Sequence, residues 1–166
     1  MEQPVWPIPA DPEPGDADVG TSFVELYQSG FAPMVRLAVT LVGSEPAAED
    51  LVHDAFVRVH AHWRRVEHPY AYLRTAVVNA CRSAARRSAR ERAALSGQIV
   101  DVITLKADEM FDALATLPYR QRAALVLQYY EGLSHAEIAD VLGCREGTVA
   151  SLTHRGLAHL RRVIDR

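Results

Sequence analysis

Cysteine is scarce in this sequence. Cys81 and Cys144 are the only two, and neither has a Cys or His partner at ligand spacing, so neither a disulfide framework nor a zinc site follows. Lysine is scarcer still: of 18 basic residues, only Lys106 is not arginine. Apolar stretches such as Leu37–Val42 are core-sized and fall far short of the ~18 residues a membrane span requires. No basic segment followed by an apolar one opens the chain, so no secretory signal is expected. These absences predict a protein of the reducing cytoplasm with no membrane insertion. Aromatics make up 7% against a hydrophobic content of 49%, and neither strand alternation nor a long repeat is visible. That balance predicts an all-helical chain.

The net charge of −3 hides strong segregation. Residues 1–21 hold five acids (Glu2, Asp11, Glu13, Asp16 and Asp18) and no base. Residues 64–92 hold eight arginines against Glu67 and Glu91, and Arg145–Arg162 holds four against Glu146. Two basic zones on an acidic chain predict two places where phosphates are met, although solvated helix faces give the same pattern.

Residues 1–20 carry five of the nine prolines, a composition that buries too little surface to order itself and reads as a disordered tail. Ser22 and Glu25 have capping-box spacing, and the first helix is expected to run to Gly43 with a kink at Gly30–Pro33. Ser44 caps a second helix, expected over 46–63, with Leu51, Ala55, Phe56 and Val59 recurring at helical spacing. His68-Pro69 breaks the chain. A third helix over about 70–92 carries Leu73, Val77, Cys81 and Ala85 as a core stripe. Arg74, Val78, Arg82, Arg86 and Arg90 form an arginine-lined flank one residue round. A flexible linker is placed at 93–107, followed by helices over 108–116 and from Pro118, at a first helical position, to Tyr130.

The most specific segment is Gly132–Ser151. Ser134 and Glu137 form a second capping box, Ile138, Ala139 and Leu142 face inward, and Gly143 turns the chain after about two turns. A longer helix then starts near Arg145 and is expected to bury Val149, Leu152, Gly156, Leu160 and Val163. A short helix, a glycine turn and a long helix make a helix-turn-helix, whose second member enters the major groove. Arg145, Glu146, Thr148, Ser151, His154 and Arg155 occupy its exposed early turns. Arg can bond guanine bidentately, Glu accepts from cytosine, and Thr or Ser serves base or phosphate.

Leu133–Leu160, including Glu-Gly-Thr-Val at 146–149, resembles the promoter-binding C-terminal region of extracytoplasmic-function sigma factors. Glu49-Asp-Leu-Val-His-Asp-Ala-Phe resembles that family's polymerase-clamp-binding helix. Pro69-Tyr-Ala-Tyr-Leu-Arg and Asn79 resemble its −10-reading helix. The similarity covers about 22–163 and implies two small helical domains, 21–92 and 108–166. It also implies that His53, Asp54 and Arg58 face the β′ clamp of core RNA polymerase, and that the C-terminal domain reads −35 DNA and touches the β flap. Arg74, Asn79, Arg82 and Arg86 would then hold −10 promoter DNA, with Tyr70 and Tyr72 as stacking platforms for unpaired bases. An anti-sigma factor is a further partner that the resemblance allows. The chain departs from the family where Ala150 and Leu152 replace frequent Lys and Arg, and where Tyr72 replaces a frequent Trp.

A catalytic reading finds little. His53, His60, His62 and His68 do not form a metal pair with a carboxylate, since 60 and 62 point apart on a helix. No nucleophile elbow is visible. No cofactor, metal or enzyme activity is expected. Two alternatives stay open: a free-standing helix-turn-helix regulator, and a non-initiating adaptor that kept the fold.

Overall fold

A computed structural model describes residues 22–94 and 109–164. Among the described residues seven α-helices follow one another: α1 (Phe23–Val42), α2 (Glu45–Ala61), α3 (Pro69–Ala94), α4 (Glu109–Ala115), α5 (Tyr119–Tyr129), α6 (His135–Leu142) and α7 (Glu146–Ile164). A single 3-10 turn, Trp63–Arg65, precedes α3. The expected tail and almost all of the expected linker lie outside the described residues.

The helix boundaries follow from local chemistry. At the start of α1, the Glu25 N–H donates to the Ser22 hydroxyl at 3.2 Å and the Ser22 N–H donates back to the Glu25 carboxylate at 2.8 Å. Gly43, at φ 78°, ends the helix in the left-handed region that favours glycine. Between these ends α1 runs through Pro33 as one continuous helix, so Gly30 is not a stop. Gly30 serves packing instead: a Cβ there would stand 3.3 Å from the Leu73 side chain and 3.6 Å from Phe56.

The second helix stops at Ala61, short of the expected Trp63. The reason is local, because the Arg58 carbonyl is bonded by the His62 ring at 2.9 Å, satisfying one orphan acceptor of the last turn. Pro118 precedes α5 with φ −54° and ψ 140°, so it is the cap residue, not the first helical one.

Helices α1, α2 and α3 pack on one another through Leu26, Met34, Leu37, Val52, Phe56, Leu73 and Val77. Helices α4 to α7 form a second bundle, where α5 and α6 both lie against α7. These bundles are not held apart. One continuous core cluster runs from Leu26 through Cys81 to Ala123, Leu127, Ile138 and Val149. Five successive residues of α5, Ala123 to Leu127, are buried, because α7 and α6 cover one side of it and α1 and α3 another. The first part of the arginine flank of α3 is therefore covered, with Arg74 and Arg82 half-buried, whereas Arg86 and Arg90 remain exposed. Val78, within that flank, is 1% exposed.

Backbone acceptors are met across the junction. The Tyr119 hydroxyl donates to the Val78 carbonyl at 2.7 Å, and Arg122 donates to the Leu41 carbonyl at 2.6 Å. Arg122 also reaches the carbonyls of Ala115 and Leu117, at 3.2 and 3.0 Å. One guanidinium thus serves the last turn of α1 and the α4–α5 connection together.

Gly156 marks a close helix approach in the C-terminal bundle, where α7 meets α5. An added Cβ would lie 2.8 Å from Leu125 Cδ1 and 3.2 Å from Leu125 Cγ, and Leu125 is itself buried. Overpacking of this kind costs about 1–3 kcal/mol, which exceeds the ~0.5–1 kcal/mol that alanine gains over glycine in a helix. Gly156→Ala is therefore expected to destabilise the chain by urea titration. Gly147→Ala, on the same helix with nothing within 4 Å, is expected to leave stability unchanged or raise it.

Candidate nucleic-acid interface

Helix α6 opens on Ser134, whose hydroxyl accepts from the Glu137 N–H at 3.3 Å. The Glu137 carboxylate accepts from the Ser134 N–H and hydroxyl, both at 2.8 Å. Those two bonds, the backbone one first, hold the Glu137 carboxyl below the usual carboxylate range. Its capping contribution is complete above the unfolded-state pKa and is lost as pH falls through the lower folded value. Gly143 adopts φ 61° at the far end, and the Cys144 N–H returns to the Ala139 carbonyl at 3.0 Å. The turn into α7 is thus fixed by backbone bonds on both sides.

Helix α7 buries Val149, Thr153, Gly156 and Leu160. Leu152 and Val163 are only half-buried. Thr153 is a core position that the apolar pattern misses, since its hydroxyl is used internally, donating to the Val149 and Ala150 carbonyls at 3.1 and 3.0 Å. Arg145, Glu146, Thr148, Ser151, His154 and Arg155 are all exposed. The Ser151 hydroxyl donates to the Gly147 carbonyl at 3.0 Å, which leaves its lone pairs to accept. His154 and Arg155 also line an open concavity of about 440 Å³, together with His159, Arg162, Thr116 and Pro118. His159 is anchored there by a 3.0 Å bond to Thr116. Ala150 is exposed, whereas Leu152 packs against the core. Of the two replaced basic positions, only Ala150 leaves an open surface without its charge.

The residues expected at the −10 strand spread along α3. Tyr70 is exposed, with the Arg74 guanidinium 5.6 Å from its ring centre. An open concavity of about 490 Å³ beside Tyr70 is lined by Leu26, Ser29, His68 and Arg74. Tyr72 is half-buried against the core. Asn79, Arg82 and Arg86 fall at i, i+3 and i+7, on one face of the helix. Asn79 and Arg82 are half-buried, and Arg86 is exposed. Desolvation, then Arg86 and Arg120, lower the Arg82 proton affinity. Cys81, at the centre of the junction, stays a protonated thiol because burial pushes its pKa up to about 12.

On α2, His53, Asp54 and Arg58 are exposed as expected. His53 is not a bare solvated side chain. Its ring lies 4.7 Å from that of Phe31, and Tyr27 reaches its Nε2 at 3.2 Å. Val57, between Asp54 and Arg58, is 67% exposed. Sequence reasoning missed Tyr27, Phe31 and Val57 at this surface. Phe23, Tyr27 and Phe31 recur every four residues, a stripe that signals their common face. Among the described residues, no three His, Cys, Asp or Glu side chains gather to hold a metal, and no helix is long and apolar enough to cross a membrane.

Two family models match the chain in the order the geometry requires: Sigma-70 region 2 over residues 26–91 and Sigma-70 region 4 over 107–160. The RNA polymerase sigma-E factor of Streptomyces coelicolor is 32% identical over 149 residues, covering 84% of each chain. The chain belongs to the sigma-70 family, in its extracytoplasmic-function group. The sigma factor SigL of Mycobacterium tuberculosis is 31% identical over 150 residues, covering 82% of this chain and 85% of that one.

Among solved structures, the sigma factor RpoE of Bartonella quintana, in complex with the anti-sigma factor NepR, superposes with a TM-score of 0.72 at 25% identity. That match covers 86% of this chain and 96% of RpoE. CnrH, in complex with the cytosolic domain of CnrY, shares the fold at a TM-score of 0.64 and 24% identity, covering 86% and 87%. This sigma factor directs transcription initiation, and its two halves match region 2 and region 4 of the family.

Proposed function

We propose that this sigma factor divides its work between two domains, 21–92 and 108–166. His53, Asp54 and Arg58, with the exposed Val57 among them, face the β′ clamp of core polymerase. Arg145, Glu146, Thr148, Ser151, His154 and Arg155 read the −35 major groove, and the same domain touches the β flap. Arg74, Asn79, Arg82 and Arg86 hold the melted −10 strand, while Tyr70 and Tyr72 offer stacking faces. An anti-sigma protein is a fitting inhibitor, since RpoE binds one.

The observation that carries this reading is the exposed polar face of α7 behind a turn fixed by the Ser134–Glu137 box and Gly143. The −10 surface on α3 adds its own contribution: unstacked bases captured on Tyr70 and Tyr72 would contribute ~1–3 kcal/mol each, which offsets opening of the duplex. The factor acts by recognition, and the reaction belongs to the polymerase.

Run-off transcription with core enzyme tests the α3 assignment. Arg82→Ala/Arg86→Ala is expected to lower open-complex formation at least several-fold, because two cations meeting the strand are lost. Undiminished open complexes would remove α3 from the mechanism. The adaptor alternative predicts polymerase binding without initiation by the wild-type chain, which the same assay reads directly.

A further inference from the structure

The concavity where α7 meets the α4–α5 connection is lined by cations and neutral donors. Arg155, His159 and Arg162 come from α7, Thr116 and Gln121 stand opposite, and no acidic residue lines it. The concavity beside Tyr70, by contrast, includes Glu67. Arg155, His159 and Arg162 fall at i, i+4 and i+7, on one face of the helix. Arg155 and Arg162 are exposed, and His159 is half-buried. The opposite wall is held close, since a Cβ on Gly156 would stand 3.6 Å from Gln121 Cβ.

Hydrogen bonding fixes the tautomer of His159. The Thr116 hydroxyl lies 2.6 Å from the Ala113 carbonyl oxygen and 3.0 Å from His159 Nε2. Two oxygens that close repel unless a proton lies between them, so the single hydroxyl proton goes to Ala113. His159 Nε2 therefore carries the hydrogen that meets Thr116 Oγ1. Nδ1 is left with a lone pair in the neutral ring and with a second N–H in the cation. The ring is held in place, and protonation changes only what Nδ1 offers.

Guanidinium groups donate and never accept. With Nδ1 protonated, Arg155, His159 and Arg162 present donors alone, which suits the acceptor oxygens of a phosphate. His154 is the other titratable group of the lining, and α5 contributes only the uncharged Gln121. Asp112, exposed one turn before Thr116 on α4, does not line the concavity.

We propose that this concavity is a phosphate site that takes up a proton on His159 Nδ1 as it fills, and that its phosphate belongs to the DNA backbone. Arg162 and His159 hold the phosphate, with Arg155 at the boundary to the readout face. An anion favours the charged form of a group beside it, so the bound phosphate draws the proton from solvent. By reciprocity the proton strengthens binding. One proton per site sets a ceiling of about tenfold in affinity per pH unit. Base sequence plays no part, because a backbone phosphate carries no base identity. The inference rests on the placement of α7 against DNA.

The test titrates the full-length chain into a labelled, mixed-sequence duplex of roughly 20 base pairs, read by fluorescence anisotropy at fixed salt. The wild type is expected to bind about 3- to 10-fold tighter near pH 6 than near pH 8. His159→Gln keeps an amide donor for Thr116 and takes no second proton. It is expected to lose most of that pH dependence without altering base preference, whereas His154→Gln keeps it. Calorimetry in two buffers of different ionisation enthalpy counts the protons the wild type takes up, and serves if His159→Gln loses its helical circular dichroism. Binding independent of pH, no net proton uptake, or a pH dependence that survives His159→Gln overturns the proposal. Pyrophosphate at matched ionic strength is the second probe. Proton-linked binding of pyrophosphate beside pH-independent duplex binding overturns the backbone as the source of the phosphate. A chain that takes up pyrophosphate with a proton yet never binds duplex refutes the placement of α7 and not the anion site.

Discussion

Phe56→Ala is expected to lower the stability of the N-terminal bundle by about 3–5 kcal/mol, the usual penalty for emptying a buried phenylalanine site. Phe56 is 2% exposed. Its ring lies 4.9 Å from that of Tyr27, 6.2 Å from Phe23 and 6.3 Å from Phe31, and the Gly30 backbone passes close by. A rigid ring cluster of this kind collapses poorly round a hole, so the upper half of the range is the better expectation. Against a total stability of ~5–15 kcal/mol for a typical domain, the variant should unfold at much lower urea, measured by circular dichroism. Val57→Ala, one residue along, is the contrasting case. At 67% exposure it should change stability by less than about 0.5 kcal/mol. If the outer face of α2 meets the polymerase clamp, Val57→Ala weakens assembly with core enzyme while the free chain stays intact. Equal assembly of that variant and the wild type would take the centre of this face out of the polymerase contact.

The two helices with complete capping boxes were the most legible parts of the chain. Ser22/Glu25 and Ser134/Glu137 satisfy backbone donors within three residues, so their signal is local and needs no tertiary partner. Gly43 and Gly143 gave the matching stops, each in the left-handed region. The polar face of α7 was readable for a similar reason, since 3.6-residue periodicity sorts one helix without reference to the rest. What escaped was everything that depends on distant partners. Ala123–Leu127 look like an undifferentiated apolar run, because α5 is covered on more than one side and has no single buried stripe. Tyr119 meets Val78 across 41 residues of sequence and Arg122 meets Leu41 across 81. No spacing rule announces such bonds. The arginine flank of α3 shows the same limit from the other direction: the second bundle packs against its first part, at Arg74, Val78 and Arg82, while Arg86 and Arg90 stay exposed.

The recognition helix gives the other large expected effect. Arg145→Ala is expected to weaken −35 binding by about 1–3 kcal/mol, roughly 5- to 150-fold, and to relax the preference at one base pair. Arg145 stands exposed immediately before α7, the end of a recognition helix that enters the groove first. Arg162 sits more than four turns further along, and it lines the concavity beside Pro118 and His159. With α7 in the groove as proposed, a cation there would meet the phosphate backbone, which carries no base identity. Arg162→Ala should therefore weaken binding evenly across sequences and reduce the slope of log affinity against log salt by about 1. Titrating both variants against a panel of single-base promoter changes, at several salt concentrations, separates the two behaviours. A base preference untouched by Arg145→Ala would mean that α7 lies in the groove in another register, with Thr148 and Ser151 carrying the readout. The exposed Ala150 bears on the same experiment. It lies between those two residues without a charge, so Ala150→Lys should tighten binding and steepen the salt slope if α7 faces the duplex as assigned.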